Sequence, residues 1–284
     1  MTLAATYRHC CKAATTPQLI HELAFYSYPT MKKKNVALKA DNLDLVGEVY
    51  FPDPSAQPCP GICLCHGIPS GQQPSPSDSG YPGLAQRLCA AGFVTLIFNF
   101  RGTGQSQGNL DMLGWTRDLE AAIDFLSNLD GVDKSRLCLL GSSGGAAVSV
   151  YVAANDPRVS SLVTLACPAD FNFPPVKQPG ESLIDHFRSI GVIRDTGFPH
   201  STDEWLEGFS TVSPIRWVDR ISPCPLLLIH GNKDEVVAVE HALRLYEKAG
   251  EPKEIAIIPG AGHRLRLEEK AITTALNWLK ARLT

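Results

Sequence analysis

Short apolar runs alternate with amphipathic stretches through most of the 284-residue chain. Residues 61–65, 93–98, 136–140, 161–166, 225–229 and 254–258 are mostly apolar runs bounded by turn-forming residues. Such runs fit strands covered on both faces of a parallel sheet. Between them, 84–91, 115–129, 144–154, 239–249 and 267–283 read as helices. In 115–129, Leu119, Ala122, Ile123 and Leu126 make one apolar stripe. Ahead of the first run, 36–39 and 43–51 alternate more strictly, with Leu43, Leu45, Gly47, Val49 and Phe51 on one face, and predict an antiparallel pair at a sheet edge. The pattern predicts an α/β fold with a mostly parallel central sheet of about eight strands covered by helices on both faces. The rhythm breaks over residues 169–212, which hold prolines and the aromatics Phe171, Phe173, Phe187, Phe198, Trp205 and Phe209 but no buried strand. This stretch predicts a small cap inserted into one domain spanning 32–284, preceded by an N-terminal extension, 1–31.

One junction in this pattern stands out. Leu137-Cys138-Leu139-Leu140 runs into Gly141-Ser142-Ser143-Gly144-Gly145 and on into Ala146-Ala147. A strand that drives into a sharp turn and out into a helix puts Ser143 at the tip. Its neighbours must be small for the helix to press on the sheet. The helix N-terminus then aims backbone N–H groups at whatever the serine attacks.

Ligands of open α/β sheets bind beyond the carboxyl ends of the strands. After 225–229 comes His230-Gly231-Asn232-Lys233-Asp234, and after 254–258 comes Pro259-Gly260-Ala261-Gly262-His263. A serine hydroxyl needs a base to take its proton. An imidazole can do this, and a carboxylate holds its tautomer and steadies the cation that forms. Ser143, Asp234 and His263 are the candidate nucleophile, acid and base. Glu235 is the near rival of Asp234. Ser142, His66 and His230 read as structural, and Asp203 and Glu204 as solvated residues of the insertion.

In these residues the chain resembles the α/β-hydrolase superfamily from about residue 32 to its end. The elbow Gly141–Gly145, the His66-Gly67 pair after the third strand, the acid in His230-Gly231-Asn232-Lys233-Asp234 and the late Gly262-His263 carry the resemblance. Nucleophile, acid and histidine follow that superfamily's order. Within it, the Arg101-Gly102-x-Gly104-x-Ser106 loop and the short insertion are similar to bacterial dienelactone-hydrolase-like and feruloyl-type carboxylesterases. The chain departs from lipases with a Gly-Gly-Gly motif, since Ile68-Pro69 follows His66-Gly67. It departs from dehalogenases in having a serine at 143. The resemblance implies an oxyanion hole made by the backbone N–H groups of Ile68 and Gly144. Pro69 has no N–H to offer.

Composition narrows the remaining choices. A formal net charge of −3 and the lack of a basic stripe argue against nucleic acid. Lys32-Lys33-Lys34 reads as a solvated strand start. The Arg101 loop lacks the Gly-Lys-Ser/Thr ending of a phosphate loop. Of nine cysteines, Cys63, Cys65, Cys138 and Cys167 fall in apolar runs, where a thiol packs as a small hydrophobe. Their spacing is not that of a zinc site, so no metal is expected, and the odd count fits a reducing, cytoplasmic setting. No run reaches membrane-spanning length.

The resulting expectation is a serine hydrolase cleaving short-chain or aryl carboxylic esters through an acyl-enzyme, without a cofactor. Its partner would be a small-molecule ester, and a homodimer is allowed. The alternatives are a small peptidase, amidase or acyltransferase with the same three residues, and a non-catalytic binding member of the fold.

Overall fold

The computed structural model describes residues 31–53, 58–72, 75–76, 78–171 and 179–283. The predicted extension at 1–31 lies outside them except for Met31. The elements run β1 (Lys32–Ala40), β2 (Leu43–Phe51), β3 (Cys59–Cys65), α1 (Gly80–Ala90), β4 (Val94–Phe98), α2 (Met112–Ser127), β5 (Val132–Ser142), α3 (Gly144–Asn155) and β6 (Val159–Leu165). They continue with α4 (Pro179–Ser189), α5 (Thr202–Thr211), β7 (Leu226–Gly231), α6 (Val239–Lys248), β8 (Lys253–Ile258) and α7 (Glu269–Leu283).

The eight strands form one sheet in the order β1-β2-β4-β3-β5-β6-β7-β8. β1 and β2 pair antiparallel, as do β2 and β4; every later pairing is parallel. This is the α/β-hydrolase fold. Alternate residues of the strands feed opposite layers. Cys63, Leu96, Leu139 and Leu162 join a core with α2, α3 and the insertion, while Ile62, Leu64, Cys138, Leu140 and Val163 join one with α1 and α7. That two-sided burial is why the strands read as continuous apolar runs.

Element ends differ from the predicted ones for local reasons. α2 begins at Met112, not residue 115, because the Asp111 carboxylate accepts the Leu113 N–H at 3.2 Å and caps the helix. β5 begins at Val132, because Val132 and Asp133 pair with Cys59 and Pro60 before the register shifts at Pro60/Gly61. Cys63, Cys65, Cys138 and Cys167 are free and buried. Burial pushes the Cys65 and Cys138 thiols up to about 12, so they stay protonated and inert. Among the described residues no helix is long and apolar enough to cross a membrane.

Candidate active site

β5 and α3 meet at Ser143 in a turn that only this run of small residues allows. Ser143 takes φ 52°, ψ −122°, a conformation costly for a non-glycine residue. A side chain at 141 would sit 2.5 Å from Ala146 Cα, and one at 145 would sit 2.2 Å from the His66 carbonyl oxygen. The turn is anchored where the Ser143 N–H donates to the Leu165 carbonyl at the end of β6 (2.9 Å).

The loops after β7 and β8 are stitched together. Asn232 N–H donates to Ile258 O (3.2 Å), Lys233 N–H to Ala261 O (2.9 Å), and Gly260 N–H to the Asn232 side-chain carbonyl (2.7 Å). This brings Asp234 beneath His263. The Asp234 side chain is 0% exposed; its Oδ1 accepts the N–H groups of Val236 (2.9 Å) and Val237 (2.8 Å). Its Oδ2 accepts from His263 Nδ1 at 2.8 Å. With that proton on Nδ1, His263 Nε2 is left as the acceptor for the Ser143 hydroxyl, 3.1 Å away. The imidazole is 22% exposed, open to the cavity. So Ser143, His263 and Asp234, picked from strand ends, form one hydrogen-bonded chain. Glu235, Asp203 and Glu204 are exposed.

His66 and His230 are held by the loops they sit in. His66 Nδ1 donates to Gly67 O (2.7 Å), while its Nε2 faces the Phe100 N–H (3.3 Å) and the Thr103 hydroxyl (3.1 Å). Desolvation lowers its pKa. Its role is to hold the loop after β3. His230 Nε2 donates to Val237 O at 2.8 Å, and burial likewise lowers this imidazole. Arg101 is spent within the protein: its Nε and Nη2 bond Asp118 Oδ1 at 3.0 and 2.7 Å, with Asp118 fully buried. The glycine-rich loop at 101–106 is thus a pinned wall of the site and no phosphate cradle.

Ile68 and Gly144 face each other. A β-carbon on Gly144 would lie 3.5 Å from the Ile68 nitrogen, and among the described residues nothing accepts either N–H. Both line a cavity of about 860 Å³ that opens over Ser143 and His263. The insertion contributes Leu183, His186 and Phe187 from α4 to its wall, beside Phe171. Trp205 and Phe209 are core instead, 4% and 1% exposed, with the Trp205 indole donating to Leu110 O at 2.8 Å. Phe173 lies outside the described residues.

Sequence reasoning missed several cavity residues. Asn99 and Thr103 follow β4 and could have been found by the same strand-end rule. Tyr81, whose hydroxyl accepts the Gly67 N–H at 3.3 Å, sits at the start of α1. His241, which accepts the Ala169 N–H at 2.9 Å, lies on α6. These two had no signal, because helix starts carry no marker of which one borders the site.

A family model described as the prolyl oligopeptidase family matches residues 82–284. An uncharacterized protein of Mycobacterium tuberculosis is 28% identical over 237 residues, covering 81% of this chain and 72% of its own. Among solved structures, a hypothetical protein of Pseudomonas aeruginosa superposes with a TM-score of 0.68 at 21% identity, covering 96% of this chain and 100% of its own. Est1E of Butyrivibrio proteoclasticus, solved with ferulic acid bound, gives a TM-score of 0.64 at 18% identity over 87% of this chain and 98% of its own.

Proposed function

The chain belongs to the prolyl oligopeptidase family of α/β hydrolases, and within that family we propose a serine hydrolase that cleaves carboxylic esters of small molecules through an acyl-enzyme. The carrying observation is the chain of hydrogen bonds from Ser143 Oγ to His263 Nε2 (3.1 Å) and from His263 Nδ1 to Asp234 Oδ2 (2.8 Å) on the floor of an open cavity.

Ser143 Oγ attacks the ester carbonyl as His263 Nε2 takes its proton. The Asp234 carboxylate holds the imidazole tautomer and stabilises the imidazolium. The oxyanion forms against the N–H groups of Ile68 and Gly144, where losing one donor typically costs about 3 kcal/mol of transition-state stabilisation. His263 returns the proton to the leaving alcohol, then activates water to release the acid. The inserted helix α4 acts as a small cap braced by α5, with Leu183 and Phe187 shaping the apolar side of the pocket. Free buried thiols support a cytoplasmic setting.

A second reading, cleavage of amide or peptide bonds by the same groups, is favoured by the name of the matching family. A matched pair of aryl ester and aryl amide with the same acyl group separates them. Ester turnover that greatly exceeds amide turnover and disappears with Ser143→Ala supports the proposal. Amide turnover of equal efficiency replaces it with the second reading.

A further inference from the structure

Two cavities meet beside His263. The one over Ser143 shares Pro69, Ser70, Gln72, Arg264 and Arg266 with a second hollow of about 400 Å³ between the loop after β3 and the turn after β8.

Charge on these walls is uneven. Asp78, its side chain 1% exposed, takes a two-pronged bond from Arg266. The Arg266 guanidinium, with Arg264 adding its field at longer range, holds its carboxyl down at about 2, so near neutral pH it is ionised and paired by Arg266. Asp170, the other carboxylate on the walls, is bonded by Arg244 Nη2 at 2.6 Å. Arg264 has no carboxylate partner among the described residues. Its guanidinium meets only the side-chain carbonyl of Gln72, a neutral acceptor.

The backbone at Arg264 is fixed. Leu265 N–H donates to His263 O and Leu267 N–H to Arg264 O, both at 2.9 Å, and Leu265 is fully buried. Arg264 therefore leaves the backbone one residue, about 3.8 Å of chain, after His263. Gln72 lies four residues beyond Ile68, the proposed oxyanion donor, so its backbone stands no more than roughly 14 Å of chain from that donor. Arg264 stands exposed at the rim of a hollow lined mostly by polar residues, Ser70, Gln72, Asp78 and Arg266 among them, so its charge is open to an incoming anion. A planar guanidinium also matches a carboxylate with two parallel hydrogen bonds, which the Gln72 carbonyl does not supply.

We propose that Arg264 and Gln72 form an anion-reading subsite of the Ser143 cavity. Its substrates are esters that carry a second, ionised carboxylate on the part reaching toward the Gln72 loop. The substrate class rests on the ester reading above; the subsite rests on the charge pattern alone.

The test uses aryl half-esters of linear dicarboxylic acids beside neutral aryl esters of matched length. The full-length enzyme should favour the half-esters by about three- to tenfold in kcat/KM, less as salt is raised. Arg264→Gln should bring that ratio to about one, Arg264→Lys should keep part of it, and Arg264→Glu should invert it. A wild-type ratio of one, or a ratio unchanged by Arg264→Gln, overturns the subsite. Calorimetry on Ser143→Ala provides a reading free of turnover. Half-ester binding that weakens when Arg264→Gln is added supports the subsite, even if the wild type hydrolyses no ester and the esterase reading falls. Equal affinity with and without Arg264→Gln overturns it.

Discussion

Ile68 lies across Gly144: a β-carbon added at 144 would stand 2.8 Å from Ile68 Cγ1. The two N–H groups proposed to receive the oxyanion are neighbours because position 144 has no side chain. Gly144→Ala should displace Ile68 and its loop while leaving α3 intact, since alanine is the better helix former. The expected result is a fall in kcat of ten- to a hundredfold, short of the 10²–10³ of a deleted donor. The melting temperature should stay within a few degrees. An alanine variant with wild-type kcat would break the pairing of these two donors.

Asp234 and Glu235 are adjacent, yet only the first points inward. Asp234→Asn keeps the shape but presents an amide to His263 Nδ1, favouring the wrong tautomer. Its kcat should drop by roughly 10⁴, as for comparable substitutions in other serine hydrolases. Glu235→Gln, on an exposed side chain, should change kcat less than about twofold. Steady-state rates on one aryl ester check both. Equal losses would mean that the carboxylate beneath His263 has been misassigned.

Gly145 and Gly131 offer a matched comparison of two glycines. A β-carbon at 145 would meet the His66 carbonyl at 2.2 Å and that of Cys65 at 2.8 Å, both rigid backbone at the end of β3. At Gly131, φ is +83° but nothing lies within 4 Å. Gly131→Ala should therefore cost only the left-handed backbone penalty, about 1–2 kcal/mol. Gly145→Ala must move β3 away from α3 and should cost about 3 kcal/mol or more. Urea unfolding of both variants measures the gap, and equal costs would contradict the close approach of helix and strand.

The parts of this molecule that could be read from sequence are those where one physical rule acts alone. Strands buried on both faces leave uninterrupted apolar runs, which made the inner strands visible, while alternation gave the antiparallel edge pair, and the residues ending the runs named Ser143, Asp234 and His263. Where two rules compete, the sequence misleads. The aromatics of the predicted cap look alike in sequence, but Trp205 and Phe209 are core residues of α5 packed edge to face at 5.0 Å, while Phe171 and Phe187 border the cavity. Composition cannot tell a wall from a core, because both bury rings. The His-Gly pairs at 66–67 and 230–231 look alike, yet His66 shapes the loop after β3 and His230 the loop carrying Asp234. Only hydrogen-bond partners separate them. The cation at 264 was equally silent, since its meaning lies in which neighbouring charges are already paired.

His230 supplies a pH dependence that is independent of catalysis. Its side chain is 1% exposed, Nε2 donates to Val237 O at 2.8 Å, and Nδ1 has no partner among the described residues. Asp234 Oδ2 stands 3.4 Å from Nε2, and His263 and His241 are the other titratable groups that act on it. Burial outweighs the carboxylate and lowers the pKa below the ordinary 6.5. Below about pH 6.5 the unfolded chain takes up a proton at this residue that the folded protein refuses. Stability contributed by the neutral imidazole is thus fully present above about pH 6.5 and is lost as pH falls toward the folded value, at up to about 1.4 kcal/mol per pH unit. His230→Gln can still donate an N–H to Val237 O but carries no titrating group. Urea midpoints measured from about pH 8 to about pH 5 should fall more steeply for the wild type than for His230→Gln. Parallel curves would show that His230 takes up its proton equally in both states.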